Sequence, residues 1–526
     1  MNQDKEHAGL SLLKKGQKGL FAAIFSRFGL FLLLLLIQAG LLAAAFIWFE
    51  DFLPHIYGGT IIFTLGMVIY LLNTSIDPTG KITWLVIIML MPVFGALLFL
   101  YTQEEVGHRK LKKLANQRIE ETRDKIPQSE ETAEALKKEN PGVAGLHNYV
   151  ARSGCYPIYG NSQVTYFPLG DDKFRELLIQ LENAKDFIFM EYFIVVEGEM
   201  WGQVLEILAR KAAQGVDVRV MYDGTNGIFN LPPSYPKMLG DLGIKCRMFA
   251  PLAPFISTHY NYRDHRKILV IDGHTAFTGG VNLADEYINR KERFGHWKDT
   301  AVMVKGDAVR SFTLMFLQMW SIKDKEKVDY EKYLNYPTLP PENCSGYVLP
   351  YGDCPLDNYK VGEHVYIDML NRAERYVHIM TPYLILDGEM EDALKFAAER
   401  GVDVRLILPG IPDKKVPFAL AWTHYSSLLA SGIKIYEYTP GFVHAKNFVS
   451  DDREAVVGTI NLDYRSLYHH FECAAYMYKT DCVADIEKDF LETQAKCRVI
   501  TPEAVKNEKF SRKAKGVLVK VIAPML

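Results

Sequence analysis

Three hydrophobic stretches dominate the first hundred residues: Phe28–Phe49, the weaker run Ile56–Leu72, and Ile82–Tyr101, which contains Pro92. An apolar run of about 20 residues is long enough to cross a hydrocarbon core as a helix, and membrane helices tolerate proline. A cleaved signal peptide does not fit the first run, which is too long and lacks a polar mature start. The pattern predicts a membrane region over residues 1–103 with two or three hydrophobic helices.

The charges around these stretches leave the number of crossings open. Basic residues precede the first run, and a second basic cluster, Arg109–Lys113, follows the last. Each cluster favours the cytoplasmic side, but three crossings would place them on opposite sides. Either one stretch does not cross fully, or the second cluster is on the unfavoured side.

Residues from about 145 to 500 contain an internal repeat. Each copy has an apolar β-branched run (184–200 and 373–390), an amphipathic helical stretch, and then Gly-Val-Asp-Val-Arg (215–219 and 401–405). This alternation predicts two α/β lobes with largely buried sheets, at 145–335 and 336–500. Two similar lobes suggest a pseudo-twofold interface, which is a common place for a site.

Two charged segments flank the lobes. Residues 104–144 are predicted to form a charged linker, either a solvated helix or one that rests on anionic headgroups. The tail, residues 501–526, places Phe510, Val517, Leu518 and Val521 at helical spacing among basic residues. This stripe would either pack onto the second lobe or lie on an anionic bilayer.

Each lobe carries one polar motif of the form His-x-Lys-x4-Asp, with an Asn 17 positions after the His. Two copies in register with an independent repeat indicate a duplicated functional site. The members of the two motifs are His265, Lys267, Asp272 and Asn282, and His444, Lys446, Asp451 and Asn461.

Strand alternation places the His and Lys of each motif on one face of a strand. Asp272 precedes Gly273, where a hairpin turn is expected. We therefore interpret Asp272 and Asp451 as structural, in a turn or an ion pair. Folding back at the turn brings Asn282 beside His265, and the second copy behaves likewise, so His, Lys and Asn converge.

Two imidazoles, two ammonium groups and two amides around one cavity suit a phosphodiester substrate. Cations and amides would hold the anionic oxygens and favour the charge of the transition state. One His would attack phosphorus and the other would protonate the leaving alcohol, through a covalent phosphohistidine. No metal or cofactor is expected, because no His, Cys or carboxylate spacing typical of zinc is evident. The seven cysteines contain no CxxC pair and are expected to be free thiols.

The overall charge bears on the partners. Sixty Lys plus Arg against 63 Asp plus Glu give a net charge of −3, which argues against a general nucleic-acid binder. A nuclease is also disfavoured by the hydrophobic stretches, and a silent membrane scaffold by the completeness of both motifs.

The paired motifs resemble those of the phospholipase D superfamily and, more narrowly, bacterial cardiolipin synthases. The similar segments are 263–272, 279–287, 297–300 and 461–466, together with the N-terminal hydrophobic stretches. The resemblance implies two phospholipase D-like lobes related by a pseudo-twofold axis, preceded by transmembrane helices. It also implies a multi-pass protein of the bacterial cell membrane that transfers a phosphatidyl group between two phosphatidylglycerol molecules, giving cardiolipin and glycerol without a cofactor. A phospholipase D-type hydrolase, or a transferase using another alcohol, is the alternative.

The resemblance also implies roles for individual residues. The catalytic set would be the two motifs, with His265 the usual nucleophile, His444 the acid and base, and the motif residues Lys267, Asp272, Lys446 and Asp451. Phosphate would be bound by the two lysines with Asn282, Asn461 and the hydroxyl of Thr459, whose counterpart in the first copy is Gly280. Asp299 and Glu472 would each orient an imidazole, across the lobes, as carboxylates do in hydrolase triads.

Overall fold

The computed structural model describes residues 57–74, 78–91, 95–96, 98–100, 106–251, 262–322, 328–337 and 341–520, with the single positions 40, 44, 76 and 324. Helices α1 (Tyr57–Leu72) and α2 (Pro78–Leu90) fall within the predicted membrane region and share a small apolar core. Among the described residues, no helix is both long and apolar enough to span a membrane. The predicted stretch 28–49 lies outside them, apart from positions 40 and 44.

The segment predicted as a charged linker is helical and packs onto the lobes. It forms α3 (Val106–Thr122), α4 (Glu130–Glu139) and α5 (Pro141–Gly154). Leu111 and Ala115 of α3 are buried in the main hydrophobic core. Arg118 donates hydrogen bonds to the backbone carbonyl oxygens of Ser321 and Asp324 in the first lobe. This charged segment therefore also has an apolar face that packs on the lobes, which a count of charges along the sequence does not reveal.

The first lobe is built around a mixed sheet with the strand order β1-β9-β7-β6-β2-β3-β4. Its strands are β1 (Ser162–Phe167), β2 (Phe187–Tyr192), β3 (Asp217–Asp223), β4 (Lys245–Phe249), β5 (Arg263–Asp264), β6 (Lys267–Ile271), β7 (Thr275–Gly279), β8 (His296–Lys298) and β9 (Ala301–Gly306). Its helices are α6 (Gly170–Glu182), α7 (Glu199–Ala213), α8 (Asn226–Phe229), α9 (Tyr235–Asp241), α10 (Val309–Trp320) and α11 (Tyr330–Leu334).

The second lobe repeats this order as β10-β17-β16-β15-β11-β12-β13, with β18 added at the edge. Its strands are β10 (Tyr347–Asp353), β11 (Tyr376–Met380), β12 (Asp403–Pro409), β13 (Lys434–Tyr438), β14 (Gly441–Val443), β15 (Asn447–Ser450), β16 (Glu454–Gly458), β17 (His470–Tyr478) and β18 (Cys497–Ile500). Its helices are α12 (Val361–Arg372), α13 (Gly388–Glu399), α14 (Lys415–Ala430), α15 (Tyr464–Tyr468), α16 (Cys482–Gln494), α17 (Pro502–Lys506) and α18 (Phe510–Lys520). The two α/β lobes expected from the repeat are therefore present.

The central strands are buried on both faces of the sheet, and for this reason their sequences are continuous apolar runs. Every residue of β2 and every residue of β11 is buried. β2 pairs parallel with β3 and antiparallel with β6, and β11 pairs in the same way with β12 and β15. Each sheet therefore has a parallel half covered by crossover helices and an antiparallel half built from hairpins.

Two strand pairings join the lobes. β5 of the first lobe pairs in parallel with β17 of the second, and β14 of the second pairs in parallel with β8 of the first. A buried ion pair reinforces the contact, with Lys298 Nζ 2.7 Å from Asp489 Oδ2. Tyr166 donates a hydrogen bond to the same carboxylate at 2.6 Å. Because these pairings flank both motifs, they fix the motifs relative to each other.

The C-terminal helix α18 packs against α14 of the second lobe. Arg512 lies over the ring of Trp422 at 5.3 Å, and Gly516 sits where an added Cβ would be 2.6 Å from the carbonyl oxygen of Ala419. Of the predicted stripe, Phe510 and Val517 are exposed, whereas the side chain of Leu518 and all of Val521 lie outside the described residues. The helix therefore packs onto the lobe through residues such as Arg512 and Gly516, and not through Phe510 or Val517.

Candidate active site

His265 is positioned by the second lobe. It lies between β5 and β6, and its backbone N–H donates to the carbonyl oxygen of Phe471 on β17 at 3.0 Å. Its Nδ1 is 2.8 and 2.9 Å from the two carboxylate oxygens of Glu472. Both side chains are buried. This contact fixes the ring so that Nε2 is the nitrogen that remains for a substrate.

His444 shows the same arrangement with the lobes exchanged. Its backbone N–H donates to the carbonyl oxygen of Lys298 on β8 at 2.7 Å, and its Nδ1 is 2.7 Å from Asp299 Oδ2. Asp299 and Glu472 thus each contact the histidine of the opposite lobe. Sequence alternation placed each His on a strand with its Lys, but in the structure both histidines precede the strand.

The two lysines of the motifs interact electrostatically with charged groups of both lobes. Lys267 Nζ donates to the carbonyl oxygen of His265 at 2.5 Å, and Lys446 Nζ is 2.9 Å from His444 Nδ1. The charge of Lys267 acts on both Lys446 and His444, and Asp299 and Glu472 act on both lysines. The motifs therefore converge on a single region between the lobes.

Burial sets the protonation of these groups. It lowers the pKa of Lys267 to about 8 and that of Lys446 to about 7. Burial, reinforced by the Lys446 ammonium, lowers the pKa of His444 to about 4. Burial also holds the pKa of His265 well below its usual value, although Glu472 opposes the shift. Both imidazoles are therefore neutral at neutral pH before substrate binds, which leaves a lone pair on each ring.

The two asparagines predicted to contact phosphate differ in their availability. Asn282 uses its Oδ1 to accept the N–H of Ile194 at 3.0 Å and its amide to donate to Tyr287. Asn461 donates to Asp463 at 3.1 Å, and its buried Oδ1 has no hydrogen-bond partner within the described part of the chain. Asn461 therefore keeps a free polar atom at the site, whereas the contacts of Asn282 hold the backbone after β2.

The hydroxyl of Thr459 contacts partners within the second lobe. It donates to Glu472 Oε2 and accepts the N–H of Cys473. It therefore supports the carboxylate that holds His265, and phosphate binding by Thr459 stays a prediction. At the matching position in the first lobe, a Cβ on Gly280 would lie 2.0 Å from Asp299 Oδ1. Asp299 thus fills the space that a side chain at this position would need.

The aspartates of the two motifs bind backbone. The Asp272 carboxylate accepts the N–H groups of Lys185, Asp186 and Phe187 at 2.7–2.8 Å, and so anchors the start of β2. The Asp451 carboxylate accepts the N–H groups of residues 374–376 at 2.8–2.9 Å, before β11. Asp272 has a positive φ in the turn between β6 and β7, so the predicted hairpin is confirmed. These contacts agree with the structural interpretation of both aspartates, and their inclusion in the catalytic set stays an untested prediction.

Two further residues at the site were missed from the sequence. Lys173 on α6 is buried, donates to Tyr192 and to the carbonyl oxygen of Val281 at 3.3 Å, and interacts with Asp299 and Lys267. His470 packs against His265, with 5.2 Å between ring centroids. Its spacing of two before Glu472 on β17 was the available signal, because residues two apart share a face of a strand.

Two groups of potential metal ligands occur among the described residues. In each, three ligand atoms lie within 4.8 Å of one another. One consists of His265, His470 and Glu472, and the other of Glu363, Asp387 and Glu389. None of the seven cysteines, all of which are described, is in a disulfide.

The chain has two mixed-sheet lobes, each with a His-x-Lys motif, and a carboxylate of each lobe contacts the motif histidine of the other. This arrangement defines an enzyme of the phospholipase D type. A profile described as "Cardiolipin synthase, PLD-like domain" matches residues 177–320 and 366–494, and a "Phospholipase_D-nuclease N-terminal" profile matches residues 62–102. The chain belongs to the family of PLD-like cardiolipin synthases.

Individual relatives agree with this assignment. The chain is 34% identical over 507 residues to a cardiolipin synthase of Alkalihalophilus pseudofirmus, covering 96% of this chain and 99% of that protein. It is 55% identical over 464 residues to an uncharacterized protein of Streptococcus mutans, covering 88% of this chain and all of that protein. The crystal structure of a phosphatidylserine synthase from Haemophilus influenzae shares the fold, with a TM-score of 0.55 at 16% identity over 73% of this chain and all of that one.

Proposed function

We propose that the chain is a cardiolipin synthase that transfers a phosphatidyl group from one phosphatidylglycerol to the glycerol hydroxyl of a second. The observation that carries this proposal is the exchange of carboxylates, in which Glu472 binds His265 and Asp299 binds His444. The exchange supports two oriented imidazoles at one site, as a double displacement at phosphorus requires. The family assignment supplies the substrate class.

In the first half-reaction, Nε2 of His265 attacks phosphorus and the bond from phosphorus to the glycerol oxygen breaks. The leaving oxygen takes a proton from His444, so glycerol departs and a phosphatidyl group stays on His265. In the second half-reaction, the now neutral His444 removes a proton from the hydroxyl of a second phosphatidylglycerol. That oxygen attacks phosphorus, cardiolipin forms, and His265 is released.

The charges of the site support this sequence of steps. His265 is neutral before substrate binds, which a nucleophilic imidazole requires. His444 needs a proton to act as the acid, and an anionic phosphodiester beside it raises its pKa toward the neutral range. The ammonium groups of Lys267 and Lys446 would donate hydrogen bonds to the phosphoryl oxygens. Glu472 and Asp299 each stabilise a positively charged imidazole ring.

We also propose that the N-terminal hydrophobic stretches hold the enzyme in the bacterial cell membrane. The support is their length and composition in the sequence, since Phe28–Phe49 is long enough to cross. Anchoring would place the site beside its lipid substrates, which do not leave the bilayer readily.

The test is the full-length chain in phosphatidylglycerol micelles, with products read by lipid mass spectrometry. Cardiolipin with an equal amount of glycerol is the expected result. Phosphatidic acid alone would indicate the hydrolase, and absence of turnover would contradict the proposal. We expect His265→Ala and His444→Ala each to abolish transfer, whereas His424→Ala, which removes a buried histidine bonded to Glu391, should retain it.

The nucleophile can be identified in the same preparation. With His444→Ala, a phosphatidyl group should accumulate on the protein as an acid-labile adduct, because glycerol can leave slowly but the acceptor is not deprotonated. His265→Ala should give no adduct. An adduct on His265→Ala but not on His444→Ala would reverse the two roles.

A further inference from the structure

His470 is a buried imidazole that the proposed reaction does not use. Its side chain is 91% buried, and neither ring nitrogen has a hydrogen-bond partner within the described part of the chain. Its Nδ1 lies 3.5 Å from Glu472 Oε1, and its ring faces that of His265. Buried polar atoms are usually satisfied, so this imidazole is poised to bind a ligand that enters beside His265.

The spacing of the donors fits a small metal ion. His265 Nδ1 is 2.8 Å and His470 Nδ1 is 3.5 Å from Glu472 Oε1. Tetrahedral ligands at about 2.0–2.1 Å from zinc are about 3.3 Å from one another. All three ligand atoms lie within 4.8 Å of each other, which is close to the spacing that such a site needs. Two imidazoles and a carboxylate are also a known zinc donor set, which leaves a fourth position for water.

We propose that His265, His470 and Glu472 form a binding site for a divalent transition-metal ion such as Zn²⁺, and that the bound ion switches transfer off. A neutral imidazole that binds metal through Nδ1 carries its proton on Nε2. In His265, Nε2 then has no lone pair to attack phosphorus, so no bond to phosphorus forms while the ion is bound. Removal of the ion restores the original tautomer.

The surroundings of the three ligands affect the affinity for the ion and its access to the site. Glu472 is fully buried between the two histidines and would supply the carboxylate ligand. The Lys267 ammonium nearby opposes a dication, so the affinity should be lower than that of a structural zinc site. His265 and His470 are 6% and 8% exposed, so neither residue is completely closed off from solvent.

The second half of the active site lacks the third ligand. Trp297 stands two positions before Asp299, as His470 stands two before Glu472, and its ring is 5.6 Å from that of His444. An indole does not coordinate metal, so the site forms only around His265. His265 is also more than two hundred positions from the other two ligands in the sequence, so the local spacing of His and Cys residues gave no indication of the site.

The binding test uses the full-length, tag-free chain in detergent, titrated with Co²⁺ as a spectroscopic substitute for Zn²⁺. We expect the visible absorption of four-coordinate Co²⁺ to saturate at one ion per chain and to be displaced by Zn²⁺. His470→Asn should weaken binding by at least about tenfold, because the loss of a supporting residue alone costs that much at metal sites. His424→Asn, which removes a histidine elsewhere that is bonded to a carboxylate, should not weaken it. Absence of this absorption, or an unchanged titration with His470→Asn, would overturn the site.

The inhibition test rests on the proposed function. Zn²⁺ should slow cardiolipin formation by the wild-type chain, a chelator should restore it, and His470→Asn should be inhibited less, with each variant normalised to its own metal-free rate. Binding of Co²⁺ without inhibition would refute the switch but leave the site. A chain that makes no cardiolipin at all would instead contradict the proposed function, since the Co²⁺ titration does not depend on turnover.

Discussion

Replacing Asp299 by Asn isolates what its negative charge contributes to His444. Asp299 is fully buried, with Oδ2 2.7 Å from His444 Nδ1 and Oδ1 accepting the N–H of Thr300 at 2.9 Å. The amide of Asn keeps the shape and the contact with Thr300. It does not provide the charge that stabilises the imidazolium formed during the reaction.

The expected loss follows from the geometry. The imidazolium charge is spread over the ring, so the charges are separated by about 4 Å, where an effective dielectric constant near 20 gives about 4 kcal/mol. Since 1.36 kcal/mol corresponds to a factor of ten in rate, kcat should fall by about a thousandfold. Loss of the equivalent carboxylate in serine protease triads costs about ten-thousandfold, which is of similar size.

The assay is cardiolipin formation in phosphatidylglycerol micelles, with thermal unfolding followed in parallel. The matched control is Asp489→Asn, which removes a carboxylate from the same lobe interface, where it binds Lys298 and not an imidazole. We expect the control to retain kcat within about tenfold at temperatures where it is folded. A folded Asp299→Asn enzyme within tenfold of wild type would show that the carboxylate does not stabilise His444.

Three further predictions concern neighbouring parts of the site. Burial lowers the pKa of Lys446 to about 7, so its ammonium is lost as pH rises through that value, and kcat/KM should fall about tenfold per pH unit above it. Lys446→Arg stays protonated and should move the start of this alkaline limb to about pH 8, where Lys267 loses its proton; an unchanged limb would exclude Lys446 as its origin. Asp272→Ala should lower the free energy of unfolding by about 3 kcal/mol, chiefly because the buried N–H of Phe187 loses its acceptor. The specific activity of the folded variant should stay within a few-fold of wild type. Thermal unfolding and activity assays measure the two effects. A loss of kcat comparable to that of His265→Ala, without a loss of stability, would instead make Asp272 catalytic. Gly280→Ala should push Asp299 from His444 and lower kcat at least a hundredfold without changing KM in the same proportion; normal kcat would contradict the close approach.

Local patterns in the sequence predicted the parts of the fold that depend on local geometry. The repeat gave two similar lobes because each strand and helix has its own periodicity, and the turn at Asp272 and Gly273 gave the hairpin between β6 and β7. The helix α3 was predicted as a charged linker, because its buried face, with Leu111 and Ala115, is narrow and its charges are many.

Contacts between the lobes could not be derived in this way. The exchange of Glu472 and Asp299 came only from the resemblance to a family, since nothing local relates a carboxylate to an imidazole more than a hundred positions away. Thr459 was expected at phosphate because a hydroxyl beside the motif is ambiguous until the position of Glu472 is known. His470 was one of 14 histidines, and its position two residues before Glu472 becomes informative only once the packing of β17 against β5 is known.

The parallel pairings of β5 with β17 and of β14 with β8 have a consequence for how such a chain can arise. A solitary copy of one half would hold an imidazole and a carboxylate that cannot reach each other, and would become competent only by associating with a twin. When two copies are fused in one chain, the association of the halves becomes intramolecular and no longer depends on protein concentration. Once fused, the halves are free to differ, and they do so where Trp297 of the first lobe occupies the position that corresponds to His470 of the second.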